Sequence, residues 1–234
     1  TVNMAGIAPG GSGSGDSNAI PNNEIHYTST DGKVVTPYRT DVFGANIVSN
    51  TYSNGHGVIT FDADVTSIGK NAFENCSSLT SITIPNSVIS IGAYAFSYCR
   101  SLTSVTIPNS VTNIGERAFM ECDRLTSVAI PNSVTSVGKE AFYGCDGLTS
   151  LTIGSEVKSI GEYAFSKCEK IENVYAMSWK ALKCDINIFS QVVYDNATLF
   201  VPEGGMESYE KTAPWYNFYI QSNPTSIEDV EVNK

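Results

Sequence analysis

From Asn50 onward, the apolar positions of the chain recur with a period of 23 residues. Phe73, Phe96, Phe119, Phe142 and Phe165 form one column, and Cys76, Cys99, Cys122, Cys145 and Cys168 follow in step. Leu79, Leu102, Leu125 and Leu148 form a third, closed by Ile171. Gly69, Gly92, Gly115, Gly138 and Gly161 form a fourth. Self-similarity at a fixed period of about 20–50 residues marks an array whose units bury their apolar faces against one another.

Within a unit the pattern switches register. Ile82 and Ile84 alternate with Ser81 and Thr83, so a short strand turns two isoleucines inward and two hydroxyls outward. Pro85 lacks an N–H and ends the ladder. Asn86-Ser87 is turn chemistry, after which Val88 and Ile91 return inward on a second extended piece. Gly92 is expected to supply a tight turn through positive φ. Ala93–Tyr98 has room for one short helical turn, anchored by Phe96. The spacing Leu79, Ile82, Ile84 is that of a leucine-rich repeat. The expected fold is therefore an α/β solenoid. Short parallel strands line its concave face, with short helical or 3-10 turns and extended pieces on the other side. A parallel β-helix, which also stacks short strands, is the runner-up. At about 4.8 Å per coil, five to six coils reach roughly 25–30 Å.

The pattern fades at both ends. The unit from Asn50 keeps Ile59, Phe61, Val65, Ile68 and Gly69, but puts Asn50, Ser53 and His56 in the Phe, Cys and Leu columns. The unit from Phe165 keeps Cys168, Ile171 and Val174 and loses the pattern at Trp179–Lys183. Upstream, EIHYTS and KVVTPYRT flank Asp31-Gly32, a hairpin signal. Downstream, Ala197–Val201 reads as a strand ending at Pro202 and Glu203–Lys211 as a short helix. Trp215, Tyr216 and Phe218 supply a bulky plug. The expected organisation is a flexible N-terminal linker (1–23) holding the GGSGSG stretch, and an N-terminal cap with a hairpin (24–57). The solenoid (58–176) and a C-terminal cap and tail (177–234) follow.

Composition narrows the function classes. The 234 residues carry a formal charge of −10, with 16% charged and 41% hydrophobic residues, a soluble globular balance. Acidity argues against nucleic acid and anionic lipid, which demand a basic face. No stretch approaches the roughly 18 apolar residues of a membrane helix. The chain opens at Thr1 without a basic and then apolar leader, so the expectation is a mature or trimmed product whose export signal lies outside it.

The motif C-x-x-L-x-x-I-x-I-P-x-x-V-x-x-I-G-x-x-A-F resembles the bacterial surface leucine-rich repeats of the BspA-like type. The ending LFVPEGGMESYEKTAPWYNF is similar to the C-terminal portion of such proteins. The resemblance spans about Ile25 to Phe218. It implies export to a bacterial cell surface and a role in adhesion to host proteins or other cells, and it supplies no catalytic residues.

Catalytic and metal chemistry finds little support. Column cysteines one repeat apart have Cα atoms about 4.8 Å apart, but their Cβ vectors run parallel where a disulfide needs convergence. They read as a stack of buried thiols acting as small hydrophobes. Cys184 lies out of phase, either buried in the cap or free. Zinc needs about four convergent ligands, and only His26 and His56 stand beside the thiols. Asp62 and Asp64 read as a solvated capping pair, since further calcium ligands are not apparent. The sequons at Asn75 and Asn196 read as chance matches. No enzyme, cofactor or metal is expected.

The candidate contact face is the outward side of the strands: Ser81, Thr83, Ser104, Thr106, Ser127, Ala129, Ser150, Thr152, Asn173 and Tyr175. Small hydroxyls suit any exposed strand, and of these only Tyr175 is a residue type favoured at binding hot spots. The expected function is a non-catalytic extracellular or cell-surface module for a host or bacterial surface protein. The alternative is a glycan-binding protein using the cap aromatics Trp179 and Trp215.

Overall fold

The computed structural model describes residues 20–223, so the GGSGSG stretch and the end of the expected tail lie outside the described residues. The chain opens with three strands, β1 (Glu24–Ser29), β2 (Ile47–Ser53) and β3 (His56–Phe61). Coils of two alternating strand types follow. One side of the solenoid carries β4 (Ser67–Ile68), β6 (Ser90–Ile91), β8 (Asn113–Ile114), β10 (Ser136–Val137) and β12 (Ser159–Ile160). The other carries β5 (Leu79–Thr83), β7 (Ser104–Thr106), β9 (Ser127–Ile130), β11 (Ser150–Ile153) and β13 (Asn173–Ala176). Within each set the paired strands run parallel, as a solenoid requires, and the second set is split between β7 and β9 into two sheets. β7 and β9 are joined at their start by Thr126 N–H donating to Thr103 O at 3.4 Å.

The predicted columns are the core. Phe73, Phe96, Phe119, Phe142 and Phe165 are all fully buried, as are Leu79, Leu102, Leu125 and Leu148. The Phe rings stack face to face at 5.0–5.4 Å from Phe73 through Phe165 and on to Phe189. At both ends the stack meets tilted or edge-on rings. Phe43 lies at 66° to Phe73, and Tyr194, Trp215 and Phe218 lie at 72–88° to Phe189.

Hydroxyls and thiols tie coil to coil. Thr103, Thr126 and Thr149 each donate through Oγ1 to the carbonyl one repeat earlier, at 3.0–3.5 Å. Ser87, Ser110 and Ser133 do the same at 2.6–2.7 Å. Each of Cys99, Cys122, Cys145 and Cys168 donates Sγ–H to a Phe carbonyl of the coil before, at 3.0–3.2 Å. The column therefore does more than fill space, and the six cysteines are free.

Two local expectations change. The repeating glycines from Gly69 to Gly161 have no positive φ; a Cβ at Gly92, Gly115 or Gly138 would lie 2.5–2.7 Å from backbone of the preceding coil. They are glycine because the coils touch there, not because the chain turns. The turn that follows makes i to i−3 bonds, such as Cys76 N–H to Phe73 O, but never becomes a helix. Its left-handed residues interrupt it twice per coil: Asn71 and Asn75, Tyr94 and Tyr98, Arg117 and Glu121, Glu140 and Gly144, Tyr163 and Lys167. The alternate N–H groups freed this way donate to the next coil, as Phe73 does to Ala95 O at 2.7 Å. Those inter-coil bonds offset the roughly 1–2 kcal/mol of each left-handed residue.

At the N-terminal end the hairpin differs from expectation, while at the C-terminal end the expected strand before Pro202 and the short helix after it are both present. The hairpin turns at Asn54-Gly55, both of positive φ, joining β2 to β3; Lys33–Thr40 forms no strand. Strand β1 then lies between β3 and β5, antiparallel to both. At the other end the parallel sheet continues past residue 176. It adds β14 (Thr198–Pro202) beside β13 and β15 (Tyr219–Asn223) beside β14. Two short helices precede these strands, α1 (Gln191–Asn196) before β14 and α2 (Met206–Glu210) before β15.

Candidate interaction face

The outward positions form two rows across the strand face. Ser81 pairs with Ser104, and Ser127 with Ser150 and Asn173 in turn. Thr83 pairs with Thr106, and Ala129 with Thr152 and Tyr175. Thr83, Ser104, Thr106 and Ser127 are exposed, and Ser81, Ser150, Thr152, Asn173 and Tyr175 are partly covered. All the predicted residues thus share one surface, and neither row carries an Asp, Glu, Lys or Arg between Thr28 and Gln221.

Both rows extend further than sequence spacing indicated. At the N-terminal end β1 contributes Thr28 beside Ser81 and His26 beside Thr83. The Thr28 hydroxyl lies 2.6 Å from Ser81 Oγ and 2.5 Å from Thr80 Oγ1. At the C-terminal end Asn173 is followed by Thr198 and Tyr219, and Tyr175 by Phe200 and Gln221. Tyr175 and Phe200 stack at 4.9 Å, and Tyr219 is 67% exposed. A polar floor therefore ends in an aromatic cluster. A fixed 23-residue search misses it, because Thr198 follows Asn173 by 25 residues and Tyr219 follows Thr198 by 21.

Charge is gathered on the turn side, in pairs that span one repeat. Arg117 meets Glu140 at 2.7 Å and lies over the Tyr94 ring. Arg100 meets Asp123 at 2.6 Å, and Lys139 meets Glu162 at 3.0 Å. Arg117–Glu140 is half-buried, and the other two pairs are more exposed and contribute little to stability.

The remaining candidate residues lie away from this face. Trp215 is 2% exposed, packs against Phe189 and donates Nε1–H to Leu182 O at 2.6 Å. Trp179 is 65% exposed and rests against Gly204, where a Cβ would meet its ring at 2.7 Å. The Asp62 carboxylate accepts from the Asn46 backbone and side chain, both at 2.8 Å, which hold it below the usual carboxylate range. Burial pushes Cys76 up to about 11 and drives Cys99, Cys122 and Cys145 well above the ordinary thiol value, so these thiols hold their protons and make poor nucleophiles. Cys184, partly buried in the cap, is pushed up to about 12. Among the described residues no group of three or more His, Cys, Asp or Glu gathers to hold a metal, and no helix is long and apolar enough to cross a membrane.

Comparison with known proteins agrees with this architecture. The family model for the BspA-type leucine rich repeat region matches residues 46–192 in 6 copies. A leucine-rich repeat protein from Bacteroides ovatus ATCC 8483 is similar over 65% of this chain and 46% of its own, at 29% identity and a TM-score of 0.50. The pneumococcal vaccine antigen PcpA is similar over 67% of this chain and 38% of its own, at 20% identity and a TM-score of 0.54. The chain thus spans less than half the length of either solved structure. No curated protein matches it.

Proposed function

The chain belongs to the BspA-type leucine-rich repeat family, and from that premise we propose that it is a non-catalytic module that holds a protein partner on its strand face at a bacterial surface. The observation that carries this reading is the composition of that face, which two sheets meeting between β7 and β9 make up. Two rows of small Ser, Thr and Ala residues cross the coils without a charge and run into Tyr175, Phe200 and Tyr219. Small side chains admit a partner's backbone closely, and aromatic residues beside them are the usual source of affinity. Export and an adhesive role follow from the family resemblance and belong to the same proposal.

The test is a screen of the purified chain against host-matrix proteins and glycan arrays, followed by substitution. Changing Ser104, Ser127 and Ser150 together to arginine is expected to abolish capture of a protein ligand while leaving the melting transition in place. Capture that survives the triple change sinks the reading. The glycan alternative now rests on Trp179, because Trp215 offers no exposed ring. It requires a glycan ligand whose binding is lost on Trp179→Ala and kept in the triple variant.

A further inference from the structure

The only two histidines of the chain lie 30 residues apart in sequence and meet at the N-terminal end of the strand face. His26 projects from β1 and His56 from the start of β3, and Nε2 of His56 lies 3.1 Å from Nδ1 of His26. Their rings are near perpendicular, at 80° with centroids 4.9 Å apart. On its far side, His26 Nε2 lies 2.7 Å from Glu24 Oε2.

The hydrogen bonds assign the tautomer. The Glu24 carboxylate has no hydrogen to give, so His26 Nε2 must donate. In a neutral ring that leaves the lone pair on Nδ1, the atom facing His56. A carboxylate behind an imidazole is the arrangement that fixes a metal-binding histidine and raises its basicity. The separation of the two facing nitrogens also suits a shared ion. Bonds of about 2.0–2.1 Å place two nitrogens about 2.9 Å apart at a right angle and about 3.4 Å apart in a tetrahedron, and 3.1 Å lies between. With His26 neutral, His56 donates its Nε2 hydrogen into the gap. Moving that proton to His56 Nδ1 gives two lone pairs facing one another, and the His56 ring is exposed, so a rotation about its side-chain bonds would let them converge on one ion.

We propose that His26 Nδ1 and His56 Nε2 chelate a divalent transition-metal ion of the imidazole-preferring kind, such as Zn²⁺, with Glu24 orienting His26 from behind. Two protein ligands leave the remaining positions to water. The site stands beside Thr83, at the head of one row of the strand face.

The test uses Zn²⁺ and the intact chain under reducing conditions, with calorimetry and imidazole nitrogen spectra. One equivalent is expected to bind. His26→Asn and His56→Asn should each weaken that binding at least tenfold, and Glu24→Gln by about tenfold. With two histidines in the protein, the spectra are simple: the metal should shift His26 Nδ1 and His56 Nε2. Both histidines have side chains reaching the surface, so the variants keep the fold, which circular dichroism checks. The proposal fails if Zn²⁺ does not bind, or if its affinity is indifferent to either histidine. It also fails if the two substitutions each remove an independent half of the binding, or if the other pair of ring nitrogens shifts.

Discussion

The middle coils and the C-terminal coils obey the same packing and differ in what they show to solvent. From Phe73 to Phe165 every unit has 23 residues, and its outward strand positions are Ser, Thr and Ala alone. Beyond Phe165 the next ring in the stack is Phe189, 24 residues on, and the outward positions mix Asn173, Thr198 and Gln221 with Tyr175, Phe200 and Tyr219. In the middle, the column side chains are committed to the neighbouring coil: the Phe ring to a ring, the Thr103-type and Ser110-type hydroxyls to carbonyls, the Cys thiol to a carbonyl. The strictness of the repeat is the record of that commitment. Where coil length is released, bulkier groups reach the surface.

This contrast can be broken by substitution. The largest loss is expected at Phe119→Ala in the middle of the ring stack, about 3–5 kcal/mol by urea unfolding. Because Phe119 contacts rings on both sides, a loss no greater than that of an exposed residue would show that the stack does not hold the coils together. Gly138→Ala comes next, at about 1–3 kcal/mol, since its Cβ would lie 2.5 Å from Glu116 N. Gly32→Ala, with nothing within 4 Å but a φ of +66°, should cost only about 1 kcal/mol. Equal costs would return the repeating glycines to a role in turning. At the C-terminal end, Phe200→Ala should lower stability by about 0.5–1.5 kcal/mol yet remove protein capture, measured side by side with the melting curve. Capture that survives would confine recognition to the middle coils.

The smallest effect is in alkali. The stability due to the protonated thiols is whole below their ordinary value of 9.0. Above it the unfolded chain ionises first, so stability falls as pH rises toward about 11 for Cys76, and further for Cys99 and Cys122. Cys99→Ala should flatten the slope of stability against pH above 9. An unchanged slope would show that Cys99 has no part in the loss, and would leave it to the other buried thiols and tyrosines.

Much of the repeat was legible because burial imposes it locally. Phe, Cys, Leu and the strand isoleucines are apolar at fixed spacing, and the alternation of Ile82 and Ile84 with Ser81 and Thr83 told inward from outward. What stayed hidden depends on partners distant in sequence. EIHYTS reads as a strand, but nothing within it says that β1 runs antiparallel between β3 and β5. The glycine column was visible and its cause was not, because the contact lies one coil away. Tyr94, Tyr98 and Arg117 give no signal of left-handed backbone, since inter-coil bonds impose it. The His26–His56 contact was out of reach for the same reason: it is made by sheet pairing, not by spacing.

The ring stack has a last consequence. Parallel rings accept another parallel ring, so any interior Phe is a site where one more unit fits. Phe43 at one end and the Tyr194, Trp215 and Phe218 group at the other present edges, which a further parallel ring does not match. The scaffold can therefore be lengthened by splicing a 23-residue cassette between Phe96 and Phe142, and not by appending one to either terminus. Its reach is a modular quantity, set from within, while its two closures stay constant.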